Sequence, residues 1–109
     1  MRDGRPFLLV RAHPKDEVRR PFRAWFLGVH LRDAGAIPGI ASIESGETAG
    51  GTTLGFYSFA DAESVQTALS SPQAAYARGT WEQWAGQLDE LLIEVWTPVP
   101  PMPVYRGRN

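Results

Sequence analysis

Two stretches with helical apolar spacing, each enclosed by short runs of strand formers, leave this chain very few folds. In the first, Phe22, Trp25, Phe26 and Val29 recur at intervals of three and four residues, then stop at Gly35 and the Pro38-Gly39 pair. In the second, Val65 and Leu69 follow Asp61, Ser71-Pro72 interrupts and restarts the helix, and Ala77, Trp81, Trp84 and Leu88 carry the stripe on. Such recurrence marks a helix with one buried face. PFLLVRAH precedes the first helix, and IASIES and TTLGFYSF lie between the two, joined by the Gly-rich GETAGG turn. LLIEVWTPV follows the second. These runs are rich in strand formers and bounded by turn residues. The expected fold class is therefore α+β: a ferredoxin-like β-α-β-β-α-β unit with an antiparallel four-stranded sheet.

Local signals sharpen the boundaries. Pro21 deep inside a helix would remove a backbone bond and clash with a carbonyl, so residues 14–19 read as an irregular turn with Pro21 in the first helical turn. Asp61 and Ser71 are N-cap residues, with Pro72 as the first helical residue after Ser71. A chain of 109 residues has the length of one domain. We expect that domain over residues 1–97, with residues 98–109 as a Pro-rich arm that cannot extend a central strand.

Composition removes several function classes. The net charge of −1, with one lysine and no basic run, argues against nucleic acid as a partner, because phosphate binding needs clustered cations. Cysteine is absent, which excludes a thiol nucleophile and Cys-ligated metal. His13 and His30 have no HxxxH spacing, so no metal site is expected, and Gly50-Gly51 matches no phosphate-binding loop. The N-terminal apolar run is too short for a signal peptide, and no stretch has the length of a membrane span. A cytoplasmic protein without membrane contact is the expectation.

Strand alternation sorts residues between the two faces of the sheet. Leu8 and Val10, Leu54 and Phe56, and Ile93 and Val95 form an apolar set suited to the helix side. The opposite set is mixed: Leu9, Arg11 and His13; Ser42 and Glu44; Tyr57 and Phe59; Leu92, Glu94 and Trp96. That face is too apolar to be left wet and too polar for an ordinary core. Pairing with a second copy would enclose it around a partly polar cavity.

Phe22, Trp25, His30 and Pro38-Gly39 also fit the pattern F-x-x-W-x-x-x-x-H followed by a P-G turn, and FYSFADAESVQTALSSPQ looks like a third strand and its helix. In these features residues 7–97 resemble the EthD-like proteins of the dimeric α/β-barrel superfamily. The chain departs from that pattern at Pro21, where an acidic residue is more usual, and in the arm after Pro98. The resemblance implies a homodimer that pairs as a dimeric α/β barrel. It also implies a lumen for small, often aromatic or polyketide-like molecules, and chemistry that needs no cofactor.

Two readings of His30 follow. As a buried histidine it would hold the 30–39 turn through a backbone hydrogen bond. As a general acid or base it would face the cavity, as the resemblance implies, since imidazole titrates near neutral pH. Arg11 and Glu94 lie on neighbouring strands and one face, so they are expected to pair. Arg11 could equally anchor a carboxylate or phenolate, and Tyr57 could donate to a substrate carbonyl. The candidate catalytic residues are thus His30, Tyr57 and Arg11. Trp96, Glu94, Trp25, Phe59 and His13 are the candidates for binding substrate. The function expected is a cofactor-independent lyase or isomerase moving protons on a small cyclic or aromatic carbonyl compound, of aromatic or lactone-like type. The alternatives are a cofactor-free monooxygenase of a phenol and a non-catalytic binding dimer.

Overall fold

The computed structural model describes residues 4–99. Four strands, β1 (Phe7–Pro14), β2 (Ile40–Glu47), β3 (Thr53–Phe59) and β4 (Leu88–Trp96), form one sheet in the order β2-β3-β1-β4. All neighbouring pairs are antiparallel, and the order of elements is the expected one. The 3₁₀ turn Asp16–Val18 leads into α1 (Arg19–Trp25), a π-helical turn (Phe26–His30) and α2 (Leu31–Gly35), so Pro21 does sit near the helix start. After β3 come α3 (Ser64–Leu69), α4 (Pro72–Gly79) and the 3₁₀ turn Thr80–Trp84. No helix among the described residues is long and apolar enough to cross a membrane.

The punctuating residues act through identifiable bonds. Asp61 Oδ1 accepts from the Ser64 amide at 2.8 Å, and Ser71 Oγ from the Ala74 amide at 3.1 Å, with Pro72 in the first turn. Gly39 has φ +92°, a left-handed conformation that favours glycine, and its missing side chain lets Ser64 approach closely. The expected arm falls on residues 98–109, and from residue 100 onward it lies outside the described residues.

The helices cover one face of the sheet. Phe22, Trp25 and Phe26 pack with Trp81 and Trp84 over Val10, Ala12 and Tyr57. A second cluster joins Ile37 and Phe59 to Ala68, Ala74 and Ala77. Trp25 and Trp81 meet edge to face at 5.0 Å, the arrangement ring quadrupoles favour.

The phase of β3 differs from the sequence reading. Tyr57 pairs with Leu8 in register, which puts Tyr57 and Phe59 on the helix face, both fully buried. Leu54 and Phe56 take the opposite face, beside Arg11 and Leu9. Apolar residues stand next to each other in TLGFYSF, so period-two alternation fits either phase. The other strands follow the expected sorting: Leu8, Val10, Ile93 and Val95 share the helix face, and Leu92, Glu94 and Trp96 the open one.

Strand β4 is less covered than its neighbours. Leu91, Ile93 and Val95 on one face and Leu92 and Trp96 on the other are all exposed.

Candidate functional site

His30 is the centre of the site. The π-helical turn Phe26–His30 interrupts what would otherwise be one helix from α1 to α2. A wide turn of this kind is characteristically a single local insertion, and it is frequent at functional sites. Here it carries the imidazole onto the core-facing side, 3% exposed. Rings surround it: Trp81 at 4.9 Å, Phe26 at 5.0 Å and Trp25 at 5.3 Å between centroids.

Across the core, β3 brings Tyr57 to meet it. His30 Nε2 and Tyr57 Oη are 2.8 Å apart and buried. Gly55 makes this possible, because the Tyr57 ring lies back across it. A Cβ at Gly55 would stand 2.7 Å from Tyr57 Cε1 and 2.8 Å from its hydroxyl.

Either group can donate in this bond: with the proton of the neutral imidazole on Nδ1, Tyr57 Oη donates to Nε2, and with it on Nε2, the ring donates to Tyr57 Oη. Nδ1 is buried and has no partner among the described residues. Burial lowers the His30 pKa from 6.5 to about 4, with Asp33 acting weakly in the other direction. Burial likewise pushes the Tyr57 hydroxyl above its ordinary value. Both groups are therefore neutral at pH 7.

His30 lines a cavity of about 300 Å³ between the helices and the sheet. Its walls are Leu8 and Val10 of β1, Ile93 and Val95 of β4, Ala34 of α2, and Ile37, Leu69, Ala74, Ala77 and Trp81. Arg78 and Glu94 complete the lining. A volume of this size suits a compact organic molecule. Nε2 is engaged by Tyr57, which does not line the cavity, and Nδ1 is the ring nitrogen left without a partner among the described residues.

The structure brings together only part of the set named from sequence. His30 and Tyr57 meet, with Trp25 packed beside the imidazole. Arg11 lies on the other face of the sheet, and its partner is Glu90 at 3.0 Å rather than Glu94. Arg11 stands opposite Leu92, which makes Glu90 and Glu94 its two diagonal neighbours, and strand twist brings one diagonal nearer. Phe59 is a core residue of the second cluster. Trp96 stacks on Phe7 at 5.8 Å on the open face, and His13 Nδ1 bonds Thr52 Oγ1 at 3.0 Å. The cavity with His30 thus opens on the helix side, whereas the sequence reading looked to the mixed face.

Two positions escaped the sequence reading. Arg78, near the end of α4, looks like an ordinary helix C-terminal cation. Gly55 looks like a weak point in a strand, and only its contact with Tyr57 reveals its use. Among the described residues no group of acidic or imidazole side chains could hold a metal ion.

Solved structures of low sequence identity share this architecture. An ethyl tert-butyl ether d (EthD) family protein from Bacillus halodurans aligns with a TM-score of 0.68 at 17% identity, over 86% of this chain and 99% of that one. SnoaB, a cofactor-independent oxygenase from Streptomyces nogalater, gives 0.66 at 11% identity over 93% and 99%. The ActVA-Orf6 monooxygenase from Streptomyces coelicolor, in complex with nanaomycin D, gives 0.63 at 14% identity over 94% and 96%. No protein-family model matches the chain, and no curated protein does. What these likenesses share with this chain is its architecture: it has a ferredoxin-like α+β fold, as the EthD family protein does.

Proposed function

We propose that this protein binds a small cyclic or aromatic carbonyl compound between its helices and its sheet and shifts protons on it without a cofactor, as a lyase or isomerase. The observation that carries this reading is the buried, neutral His30 in the wall of an apolar cavity, with one ring nitrogen, Nδ1, left without a partner among the described residues. A neutral imidazole of this kind is an electrophile: it donates to a carbonyl oxygen and stabilises the negative charge that develops there. Tyr57 keeps the tautomer and the ring orientation. Ionising Tyr57 or protonating His30 in this dry site is unfavourable, so the hydrogen bond strengthens as charge builds while both partners remain neutral.

Substituted 2-naphthols test the idea, because their hydroxyl acidity varies at nearly constant shape. Affinity, read by tryptophan fluorescence, should rise with acidity in the native protein and lose that dependence in His30→Phe. Absence of binding, or a dependence that survives the loss of the imidazole, refutes the reading.

A second reading, cofactor-free oxygenation of a phenol, draws on the named activities of two structural neighbours, SnoaB and the ActVA-Orf6 monooxygenase. The same donor would stabilise the phenolate that reacts with oxygen. Oxygen uptake with a bound naphthol separates the two.

The open face of the sheet supports a homodimer. Leu9, Leu54, Phe56, Leu92 and Trp96 share that face with no helix over it, a patch that pairing with a second copy would cover.

A further inference from the structure

We propose that the molecule bound beside His30 is an amphipathic acid, with a flat apolar body in the cavity and a carboxylate or similar anionic group held by Arg78 at its mouth. The proposal rests on the binding role given to this cavity above and specifies the chemistry of what enters. Its ends differ sharply in wetness. His30 is 3% exposed, whereas Arg78 is an exposed residue of α4. An anionic group placed at Arg78 stays hydrated on its outer side, which spares it the large penalty of burying an isolated charge. The apolar body of the same molecule would displace water from Leu8, Val10, Ala77, Trp81, Ile93 and Val95.

Arg78 is free to do this. The described ion pairs are Arg11–Glu90, Lys15–Asp89, Arg19–Asp16, Arg23–Glu47 and Arg32–Asp33, and none involves it. A guanidinium presents a planar fork of donors that matches a carboxylate in a two-bond geometry. Glu94, the other charged residue of the lining, does not cancel it. Ile93 and Val95 occupy the helix face of β4, so alternation turns the Glu94 side chain to the opposite face, in register with Leu9. The cavity therefore touches the Glu94 main chain and carries one net positive charge. The buried His30 and the exposed Arg78 thus border one apolar cavity, and Arg78 is the charged side chain that an acid entering it would meet.

The test compares 2-naphthoate with 2-naphthamide, which share one body and differ in charge. Binding is measured by tryptophan fluorescence and calorimetry on the native chain, Arg78→Gln and Arg78→Lys. Naphthoate should bind roughly tenfold tighter than the amide, as one charge-assisted contact at a wet rim provides. The preference should vanish in Arg78→Gln, persist in part in Arg78→Lys, and shrink with added salt, while amide affinity stays constant. Equal affinity for the two probes in the native protein overturns the acid assignment and leaves the cavity as a binding site. So does a preference that Arg78→Gln retains, or an amide affinity that falls in parallel with that of naphthoate. If neither probe binds, the cavity reading itself fails, and this proposal with it.

Discussion

Replacing Gly55 by alanine sets two physical effects of opposite sign against each other. Gly55 does not have a positive φ, so alanine is compatible with its backbone. At such a position the substitution normally stabilises by about 0.4–1 kcal/mol, by restricting the unfolded chain. The Tyr57 ring reverses that expectation. The new Cβ would sit 2.7 Å from Cε1, 2.8 Å from Oη and 2.9 Å from Cζ, distances that real Cβ atoms do not show. Tyr57 has little room to yield, being 1% exposed and bonded to His30. Overpacking of this kind costs about 1–3 kcal/mol. Breaking the buried Tyr57–His30 bond adds about 1–3 kcal/mol, because both polar atoms stay buried. The net expectation is a loss of about 2–5 kcal/mol, measured by urea unfolding at pH 7. Tyr57→Leu removes the ring from above Gly55, so in that background the alanine should be nearly neutral, a coupling visible in a double-mutant cycle. A Gly55→Ala protein at least as stable as the native one would refute the account of how Tyr57 is placed.

Three further outcomes follow. The His30 pKa falls from 6.5 to about 4 on folding, so between these values the unfolded chain binds the extra proton and stability rises with pH. Acidification from pH 7 to pH 4 should therefore withdraw about 3 kcal/mol through this group, and imidazole NMR should show a midpoint near 4; a His30 midpoint near 6.5 would contradict the burial. Trp96→Lys should convert a dimer to a well-folded monomer in sedimentation, and an unchanged assembly would exclude the open face as the interface. Arg11→Gln should alter stability by less than about 1 kcal/mol, since its pair with Glu90 is half exposed, and a larger loss in thermal unfolding would show that Arg11 carries more than that pair.

The order of elements was readable because proline, glycine and cap residues mark nearly every boundary. Ser71-Pro72 and Pro38-Gly39 act as their chemistry dictates. His30 is legible too, since its spacing puts it at the edge of an aromatic stripe, whereas Tyr57 stands on the helix face and not on the mixed face that alternation suggests. The phase of β3 was not readable, because adjacent Phe56 and Tyr57 satisfy either alternation. Three-dimensional packing chose between them, through the gap at Gly55 and the bond to His30. Arg11 pairs with Glu90 and not with Glu94 because its two diagonal neighbours are equivalent in a flat ladder and cease to be so in a twisted one. The π-helical turn left no signature in FLGVH, and Arg78 became notable only when α4 was seen to border the cavity.

The pairing of Phe7 with Trp96 has a consequence for how the chain matures. β1 is made before the other three strands and lies inside the sheet, yet one of its two sides is satisfied only by β4, the latest made of the four. During synthesis that side, Leu8 to Ala12, presents unpaired amides and carbonyls for as long as it takes to translate the helices. Contacts so distant in sequence form slowly, because most of the chain must be ordered before they close. A bare, apolar strand edge is also a template for a neighbouring nascent chain. The late arrival of β4 thus makes this protein sensitive to crowding on the polysome: substitutions that delay β4, even far from His30, should lower soluble yield before they alter the finished fold.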